Sequence, residues 1–383
     1  MKRKVPRLPV VLLFLLSLGL AASILTVAGP ARAEELFSAR WKATWQRALA
    51  ERHPLALLMK SKADTGTGDS TDIGGYAASM YRITGDGTYA KKAFGKAGSL
   101  AVPGDRNFTR EAYTERSIIY YAIKPWLDAN PADKTAFINS MNAWGDFCLV
   151  NTRPEDSDEA TGHGLGLMAW GVVSAGDNPR ASYFLNHPLV GGLIPTGADF
   201  RNLRNTINLF VTNLARGGVW IESSEYNIGT VKLLLTGVDI IRTATGIAYF
   251  PEVTQQFISG VALGQMHEFT PDLKDTHQFG DVEKPHAVTS WAFPKATLLG
   301  MMAGLTENDP NVGPYMQQLM DDWFAKYGYA NWVTQPTGRF YLYYNPYAPR
   351  ASYANLKDFY APGMGMMFTR TGWGSKDVFI GSH

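Results

Sequence analysis

The sequence predicts a mainly α-helical protein: an α/α toroid, meaning an incomplete barrel of antiparallel helical hairpins, followed by the first strands of an antiparallel β-sandwich. Apolar residues recur at intervals of three and four from about residue 36 to 330, which is the periodicity of amphipathic helices. No alternating apolar and polar stretch comes before Arg339. Successive antiparallel helix pairs form toroids or solenoids, and the absence of a fixed sequence period argues against repeat solenoids.

The first 33 residues are predicted to be a secretory signal peptide. Four basic residues precede residue 8, an apolar run covers residues 10–27, and Ala31, Arg32 and Ala33 form a small-x-small cleavage site. The apolar run is nearly long enough to span a membrane, so the alternative is a retained anchor. We expect cleavage, a periplasmic or extracellular location, and no membrane attachment afterwards.

The charge balance narrows the choice of partners. The full chain has 36 basic and 34 acidic residues, and without residues 1–33 it has 31 and 34, a formal charge of −3. This balance is not that of a nucleic-acid-binding protein, and an acidic substrate would need a local basic patch. The single cysteine, Cys148, excludes an internal disulfide framework, and its apolar neighbours predict a buried thiol.

Apolar spacing and glycine or proline stops define the helices. In the first, at residues 35–52, Phe37, Trp41, Trp45 and Leu49 are four residues apart. Further helices are predicted at residues 73–84, 89–97, 110–130, 132–150, 164–175, 203–214, 230–245, 253–267, 287–305 and 311–327.

The composition changes after these helices. Strand-like segments occur at residues 339–345, 365–370 and 377–380. Three strands do not normally close a β-sandwich, so either they pack on the helices or the sequence is truncated, and truncation is favoured. The predicted division is a signal peptide at 1–33, a catalytic toroid domain at 34–335 and the start of a β-sandwich domain at 336–383.

A dense polar and aromatic segment precedes the helix at residues 230–245. Gly217 and Gly218 permit a tight turn, and the cluster from Trp220 to Asn227 follows. Ser223 or Ser224 is a suitable N-cap for the helix. Exposed groups held by a rigid element often carry function; in the alternative interpretation the serines only cap the helix and Tyr226 only packs.

A second motif centres on His163. This residue lies between Gly162 and Gly164, after an acidic loop at residues 155–159. We expect it at the start of a helix, where small neighbours expose the imidazole to a ligand; the alternative is a capping histidine with structural glycines. In a toroid His163 and Tyr226 could face one cleft, with their side-chain tips within about 10 Å, a span that one sugar ring could bridge.

The order of these motifs resembles that of the heparinase II/III-like polysaccharide lyases, a family that includes alginate and oligoalginate lyases. The shared pattern is a histidine at a helix start followed by the segment W-x-E-S-x-x-Y-N, here residues 220–227. Residues 75–89 resemble the family's early helical hairpin, residues 277–281 its Gly-Asp loop, and residues 362–383 the first strands of its β-sandwich.

The resemblance implies β-elimination at a uronic acid within an acidic polysaccharide or oligosaccharide. In that reaction a base removes the C5 proton, an acid protonates the leaving C4 oxygen, and a third group neutralises the carboxylate. Tyr226 matches the family's catalytic tyrosine, as acid and in some members also as base. His163 matches the toroid histidine, as base or as a donor to the carboxylate. A tyrosine has an ordinary pKa near 10, so a tyrosine base needs cationic neighbours.

The substrate-binding residues follow less directly from the resemblance. Many members carry Asn immediately before the histidine, where this chain has Gly162. Six residues are therefore the candidates for binding substrate: Asn227, Arg201, Arg204, His383, Trp220 and Glu222. The first four of these are also the candidates for neutralising the substrate carboxylate. Some β-sandwich domains in the family hold a structural metal, but its ligands would lie beyond residue 383, so we expect no complete metal site and no other cofactor.

Two other function classes remain open. α/α toroids also host glycoside hydrolases with two carboxylates, and here Glu222 or Glu225 could pair with Asp275 or Asp281. A non-catalytic sugar-binding protein is the third possibility. A lyase makes an unsaturated uronate that absorbs in the ultraviolet, whereas a hydrolase or a binding protein does not.

Overall fold

The structure of the chain is a computed structural model. At residues 70, 107, 158, 226–227 and 288–296, the structure describes the backbone but not the side chain. The described residues are 36–66, 70–102, 104–152, 158–187, 190, 203–219, 226–279, 288–329 and 340–382. The predicted signal peptide at 1–33 lies outside these ranges.

The described chain is mainly helical, as the sequence predicts, with fourteen α-helices and a small antiparallel sheet. Two helices, α4 and α9, continue into single π-helical turns, at Phe94–Gly98 and Phe210–Leu214. The helices are α1 (Ala39–Ala50), α2 (Pro54–Thr65), α3 (Ser70–Thr84), α4 (Gly87–Ala93), α5 (Arg106–Asp128), α6 (Pro131–Asn151), α7 (Asp158–Val173), α8 (Ala181–Leu185), α9 (Leu203–Leu209), α10 (Tyr226–Thr245), α11 (Gln255–His267), α12 (Val288–Leu305), α13 (Gly313–Tyr327) and α14 (Phe340–Tyr343). Within the described ranges, none of these helices combines the length and apolarity that a membrane crossing requires.

Helix α2 was not predicted, although its sequence carries helical signals. His53 is its N-cap, and the ring Nδ1 accepts a hydrogen bond from the Leu55 N–H at 3.2 Å. Pro54 occupies the first helical position, where a missing N–H costs nothing. The buried residues Leu55, Met59 and Ala63 are four residues apart along the sequence, so apolar spacing alone could have indicated this helix.

Helix α7 is the centre of the packing. Every residue from 161 to 174 is buried, as expected of a helix that is apolar on all sides. Glycines let its neighbours approach closely. A Cβ at Gly162 would lie 2.8 Å from the Cβ of Arg110, and one at Gly166 would lie 2.6 Å from Tyr113 Cδ1. Helix α7 can therefore have neighbours on all sides.

Helices α5, α7 and α10 run parallel to one another. Gly162 faces Arg110 of α5, and Gly166, one turn further along α7, faces Tyr113, one turn further along α5. On the other side Gly162 faces Leu233 of α10, and the Leu165 side chain faces Gly237. Because the contacts advance in the same direction along each pair, all three helices point the same way.

Helix α6 runs in the opposite direction beside α5, as the predicted hairpin requires. Tyr113 donates a hydrogen bond to the Met141 carbonyl at 3.2 Å, and Arg116 donates one to Ser140 at 2.7 Å. The ring of Tyr120 contacts Phe137 edge-on at 5.3 Å. The partner numbers on α6 fall as those on α5 rise, so the two helices are antiparallel. Cys148 of α6 is buried and free, as predicted, and burial raises the pKa of its thiol.

Within the segment predicted as a strand at residues 339–345, the described residues 340–345 contain no strand, because Phe340–Tyr343 forms the short helix α14. Phe340, Tyr341 and Leu342 are all buried, so the side chains do not alternate between core and solvent as a surface strand requires. The Tyr341 carbonyl accepts hydrogen bonds from the indoles of Trp41, at 2.6 Å, and Trp45, at 3.1 Å. This segment belongs to the helical core.

The sheet has three antiparallel strands in the order β1 (Asp358–Ala361), β2 (Met366–Arg370) and β3 (Phe379–Ser382). Strand β2 was predicted, β3 lies two residues after its predicted position, and β1 was missed. One face packs on α11, where the Phe359 ring stacks on His267 at 5.4 Å. Tyr360, Met367 and Ile380 are exposed on the other face.

The turn before the polar segment joins the helices to the sheet. Gly217 and Gly218 have φ values of +88° and +95°, which favour glycine. A Cβ at Gly218 would overlap the Gly260 carbonyl of α11. The Gly363 N–H donates to the Arg216 carbonyl at 2.8 Å, so the turn is held against both the helix and the β1–β2 connection.

We predict that Gly218→Ala destabilises the protein far more than Gly85→Ala. Both glycines have positive φ, so both substitutions carry about 1–2 kcal/mol of backbone strain. A Cβ at Gly85 has nothing within 4 Å, whereas one at Gly218 meets backbone, so its total cost should be about 2–5 kcal/mol. Urea unfolding measures both, and equal losses would contradict the close approach of the turn to α11.

Candidate functional site

The parallel packing brings the N-terminal ends of α5, α7 and α10 to one end of the molecule. Gly162 lies level with Arg110 and Leu233. Helices α5 and α7 begin four residues before this level, and α10 begins seven residues before it. These offsets are about 6 and 10 Å along the axes. N–H groups without a partner inside their own helix, and positive dipole ends, therefore collect in this region.

Charged residues surround these helix ends, and we call them the N-terminal cluster. Arg106 Nη1 lies 3.5 Å from Glu159 Oε2, which joins α5 to α7. Lys232 Nζ lies 3.7 Å from Glu111 Oε2, which joins α10 to α5. Among the six residues named below, with a neutral histidine, three cations face two anions; Asp105 immediately precedes α5 and Asp158 begins α7, so these helix ends also include two further acidic residues. The cluster consists of Arg106, Arg110, Glu111, Glu159, His163 and Lys232.

The prediction that glycines expose the His163 imidazole is wrong, because His163 is fully buried. Helix α7 begins at Asp158, not near residue 164, so His163 lies in the second turn of the helix. Gly162 and Gly164 admit neighbouring side chains, the Cβ of Arg110 and the Cδ1 of Leu203. The glycines therefore serve helix packing.

Both ring nitrogens of His163 have partners inside the protein. Nδ1 lies 2.9 Å from Thr152 Oγ1, just beyond the end of α6, and Nε2 lies 3.3 Å from the Arg106 carbonyl oxygen. Burial lowers the pKa of His163 to about 4, opposed by the hydrogen bond to Arg106 and assisted by the charges of Arg110 and Arg106. The imidazole is therefore neutral at pH 7.

Two protons serve the three contacts around the neutral imidazole. A carbonyl only accepts, and the Thr152 hydroxyl donates to the Cys148 carbonyl at 2.5 Å. The one imidazole proton then lies either on Nδ1, donated to Thr152 Oγ1 at 2.9 Å, or on Nε2, donated to the Arg106 carbonyl at 3.3 Å. In either state His163 of α7 lies against both α5 and the end of α6.

The structure describes little of the predicted substrate site. Tyr226 is the first residue of α10, but its side chain and that of Asn227 lie outside the described residues, as do Trp220, Glu222, Arg201 and His383. Strand β3 ends at Ser382, next to His383. Since Gly162 faces Leu233, the Tyr226 backbone lies about 12 Å beyond His163 along the axis of α10, in the direction of the N-terminal ends of the helices. The expected 10 Å approach of their tips stays a prediction.

Two other predicted residues have partners elsewhere. Arg204 Nη1 donates to the Tyr249 carbonyl at 2.7 Å, in the loop after the C-terminal end of α10, the end opposite Tyr226. Asp275, proposed as half of a hydrolase pair, accepts the N–H of Thr276 at 2.8 Å. Its possible partners Glu222, Glu225 and Asp281 lie outside the described residues.

Sequence reasoning missed Arg106, Arg110, Glu111 and Lys232. The sequence did contain a signal for the two arginines. Arg106 and Arg110 occupy the first turns of α5, where the helix dipole disfavours cations. Two arginines at such a position are unfavourable unless anions lie nearby. Glu159 is one such anion, and a bound anion would be another.

Metal binding and similarity to known proteins add no further assignment. Among the residues with described side chains, no group of three or more His, Cys, Asp or Glu is arranged to hold a metal ion. No protein-family model matches the chain, and no curated protein has a significantly similar sequence.

We predict that His163 makes stability depend on pH. Its pKa is about 4 in the folded chain, against an ordinary value of 6.5. Between these values the unfolded chain binds a proton that the folded chain does not, so stability falls as pH drops from 6.5 to 4. The contribution is about 3 kcal/mol. His163→Gln should reduce this pH dependence in thermal unfolding.

The matched control is His187→Gln, because His187 is only partly buried. This variant should keep the pH dependence of the wild type. An unchanged pH dependence in His163→Gln would contradict the depressed pKa.

Proposed function

We propose that the protein is a secreted polysaccharide lyase that cleaves a uronic-acid-containing polysaccharide or oligosaccharide by β-elimination. The observation that carries the proposal is the meeting of three helix N-termini with Arg106, Arg110 and Lys232 at the end of α10 where Tyr226 lies. Positive helix ends and guanidinium groups are the features that bind carboxylates.

The proposal places the carboxylate neutraliser in this region. The chain lacks the family's Asn before His163 and has Gly162 there. Arg106 and Arg110 supply positive charge beside that position, and both charges lower the pKa of His163. Asn227, Arg201 and His383 remain candidates on the grounds of the resemblance, whereas the contact of Arg204 with Tyr249 argues against Arg204.

Tyr226 is assigned the proton transfers. As the first residue of α10 it lies in the positive field of a helix end, which favours the phenolate. The phenolate takes the C5 proton, the electron pair forms the C4–C5 double bond, and the C4–oxygen bond breaks. Tyr226 then gives its proton to the leaving oxygen and returns to the phenolate. The products are an unsaturated uronate and a new chain end.

His163 is assigned a positioning role, although the resemblance implies a base or a donor to the carboxylate. Its two ring nitrogens contact Thr152 and the Arg106 backbone, and the residue is buried. With the proton on Nε2, the hydrogen bond to the Arg106 carbonyl fixes the start of α5 and the guanidinium that the helix start carries.

The α/α toroid is the fold proposed for this function. Its inner helices would run parallel and its outer helices antiparallel to them. Support comes from the parallel helices α5, α7 and α10 and from the antiparallel helix α6 between α5 and α7 in sequence. The C-terminal ends of α10 and α12 also line one cavity, which fits a fourth inner helix.

We predict that Tyr226→Phe lowers lyase turnover by about 10²–10⁴-fold, the usual contribution of a positioned proton-transfer group. The assay follows the ultraviolet absorbance of unsaturated uronate released from alginate, heparin, hyaluronate and polygalacturonate. The control is Tyr183→Phe, because Tyr183 is an exposed tyrosine of α8. No chromophore from any of these polymers with the wild-type protein would sink the proposal.

His163→Gln separates positioning from proton transfer. If His163 only positions other groups, this variant should have a lower kcat/KM, and the pH dependence of kcat/KM should be unchanged because Tyr226 still carries the proton. Loss of one limb of the pH profile would instead make His163 the base.

A further inference from the structure

A cavity of about 300 Å³ lies near the C-terminal end of α10. Its walls come from the first turns of α1, the last turns of α10, the start of α11, and the segments after α12 and α14. Asp239, which lines it, is thirteen residues after Tyr226, or about 20 Å along the helix. The cavity is therefore separate from the N-terminal cluster.

The charges in the cavity wall are already paired. Arg40 forms an ion pair with Glu307 Oε1, which also accepts a hydrogen bond from the Asn345 amide at 2.8 Å. Arg242 forms an ion pair with Asp239. Two guanidinium groups and two carboxylates give the wall no net charge. An anion would meet two carboxylates and a cation two guanidinium groups, so the wall favours a neutral ligand.

The wall nevertheless offers many hydrogen-bonding groups. The carboxylates of Asp239 and Glu307 are acceptors, the guanidinium groups are donors, and Thr44 and Asn345 can do both. An apolar ligand would take water away from these polar groups, which is costly. A ligand with several hydroxyl groups can satisfy donors and acceptors together.

An aromatic residue contributes to the cavity wall. Trp41 lies in the wall, and its indole N–H donates to the Tyr341 carbonyl at 2.6 Å, which fixes the ring. Because Trp41 is buried, it adds only a small apolar area against which the C–H groups of a pyranose can pack. The volume is at the lower end of the range for small-molecule sites and suits roughly one or two sugar rings.

We propose that this cavity binds a neutral monosaccharide or disaccharide, at a site remote from the proposed catalytic residues. The site does not depend on the lyase proposal, because it shares no residue with the N-terminal cluster. Glu307 is its central residue, since it joins Arg40 of α1 to Asn345 after α14.

The test is calorimetric titration of the full chain with neutral sugars: the methyl glycosides of glucose, mannose and galactose, then N-acetylglucosamine, maltose and cellobiose. Sodium glucuronate and inorganic phosphate are the anionic comparisons. We expect at least one neutral sugar to bind and the anions to bind more weakly. No binding by any neutral sugar, or tighter anion binding that the cavity variants below abolish, overturns the proposal.

Variants locate the site. Glu307→Gln keeps the shape but removes the charge, and should weaken sugar binding by about ten- to a hundredfold. Asn308→Trp, at an exposed loop position at the cavity rim, should block entry without disturbing the core. Glu51→Gln is the control, since Glu51 is an exposed partner of Arg47 and Tyr347 outside the cavity.

Circular dichroism and thermal unfolding establish that each variant is folded. Unchanged sugar affinity in folded Glu307→Gln and Asn308→Trp overturns the assignment to this cavity. Lyase activity is not needed for this readout, so failure of this site and failure of the lyase proposal are distinguishable.

Discussion

The close approach of α7 to its neighbours is the constraint on which the rest of the structure depends. Gly162 and Gly166 admit α5, and Gly237 of α10 admits Leu165 of α7. A larger side chain at any of these positions would separate helices whose contacts are apolar and buried, and packed interiors tolerate such changes poorly. Through these contacts α5, α7 and α10 run parallel, with their N-terminal ends at one end of the molecule.

This arrangement gives the two ends of α10 different chemistry. At its N-terminal end, Arg106 and Lys232 are paired with Glu159 and Glu111. The positive dipole ends of three helices, together with Arg110, are what would favour an acidic ligand there. At its C-terminal end, the guanidinium groups of Arg40 and Arg242 are paired with carboxylates in the cavity wall. The two proposed sites thus differ mainly in the helix dipole, which is positive at one end of α10 and negative at the other.

Periodicity and stop residues predicted most helices, since both signals are local. Contacts between distant segments decided the rest. Residues 340–343 have strand propensity, but the core buries three successive side chains there, so a helical turn forms. The wrong prediction of an exposed His163 has the same cause. The glycines beside His163 suit an exposed loop or a tight helix interface equally, and only the positions of Arg110 and Leu203 decide between the two.

A crystal structure of the Tyr226→Phe protein with a uronate tetrasaccharide tests the central claim most directly. The account predicts that a sugar carboxylate lies at the N-terminal ends of α5, α7 and α10, within about 3.2 Å of an Arg106 or Arg110 nitrogen, and that C5 lies near residue 226. A tetrasaccharide bound elsewhere, including the cavity at the other end of α10, with these helix ends unoccupied, would contradict it.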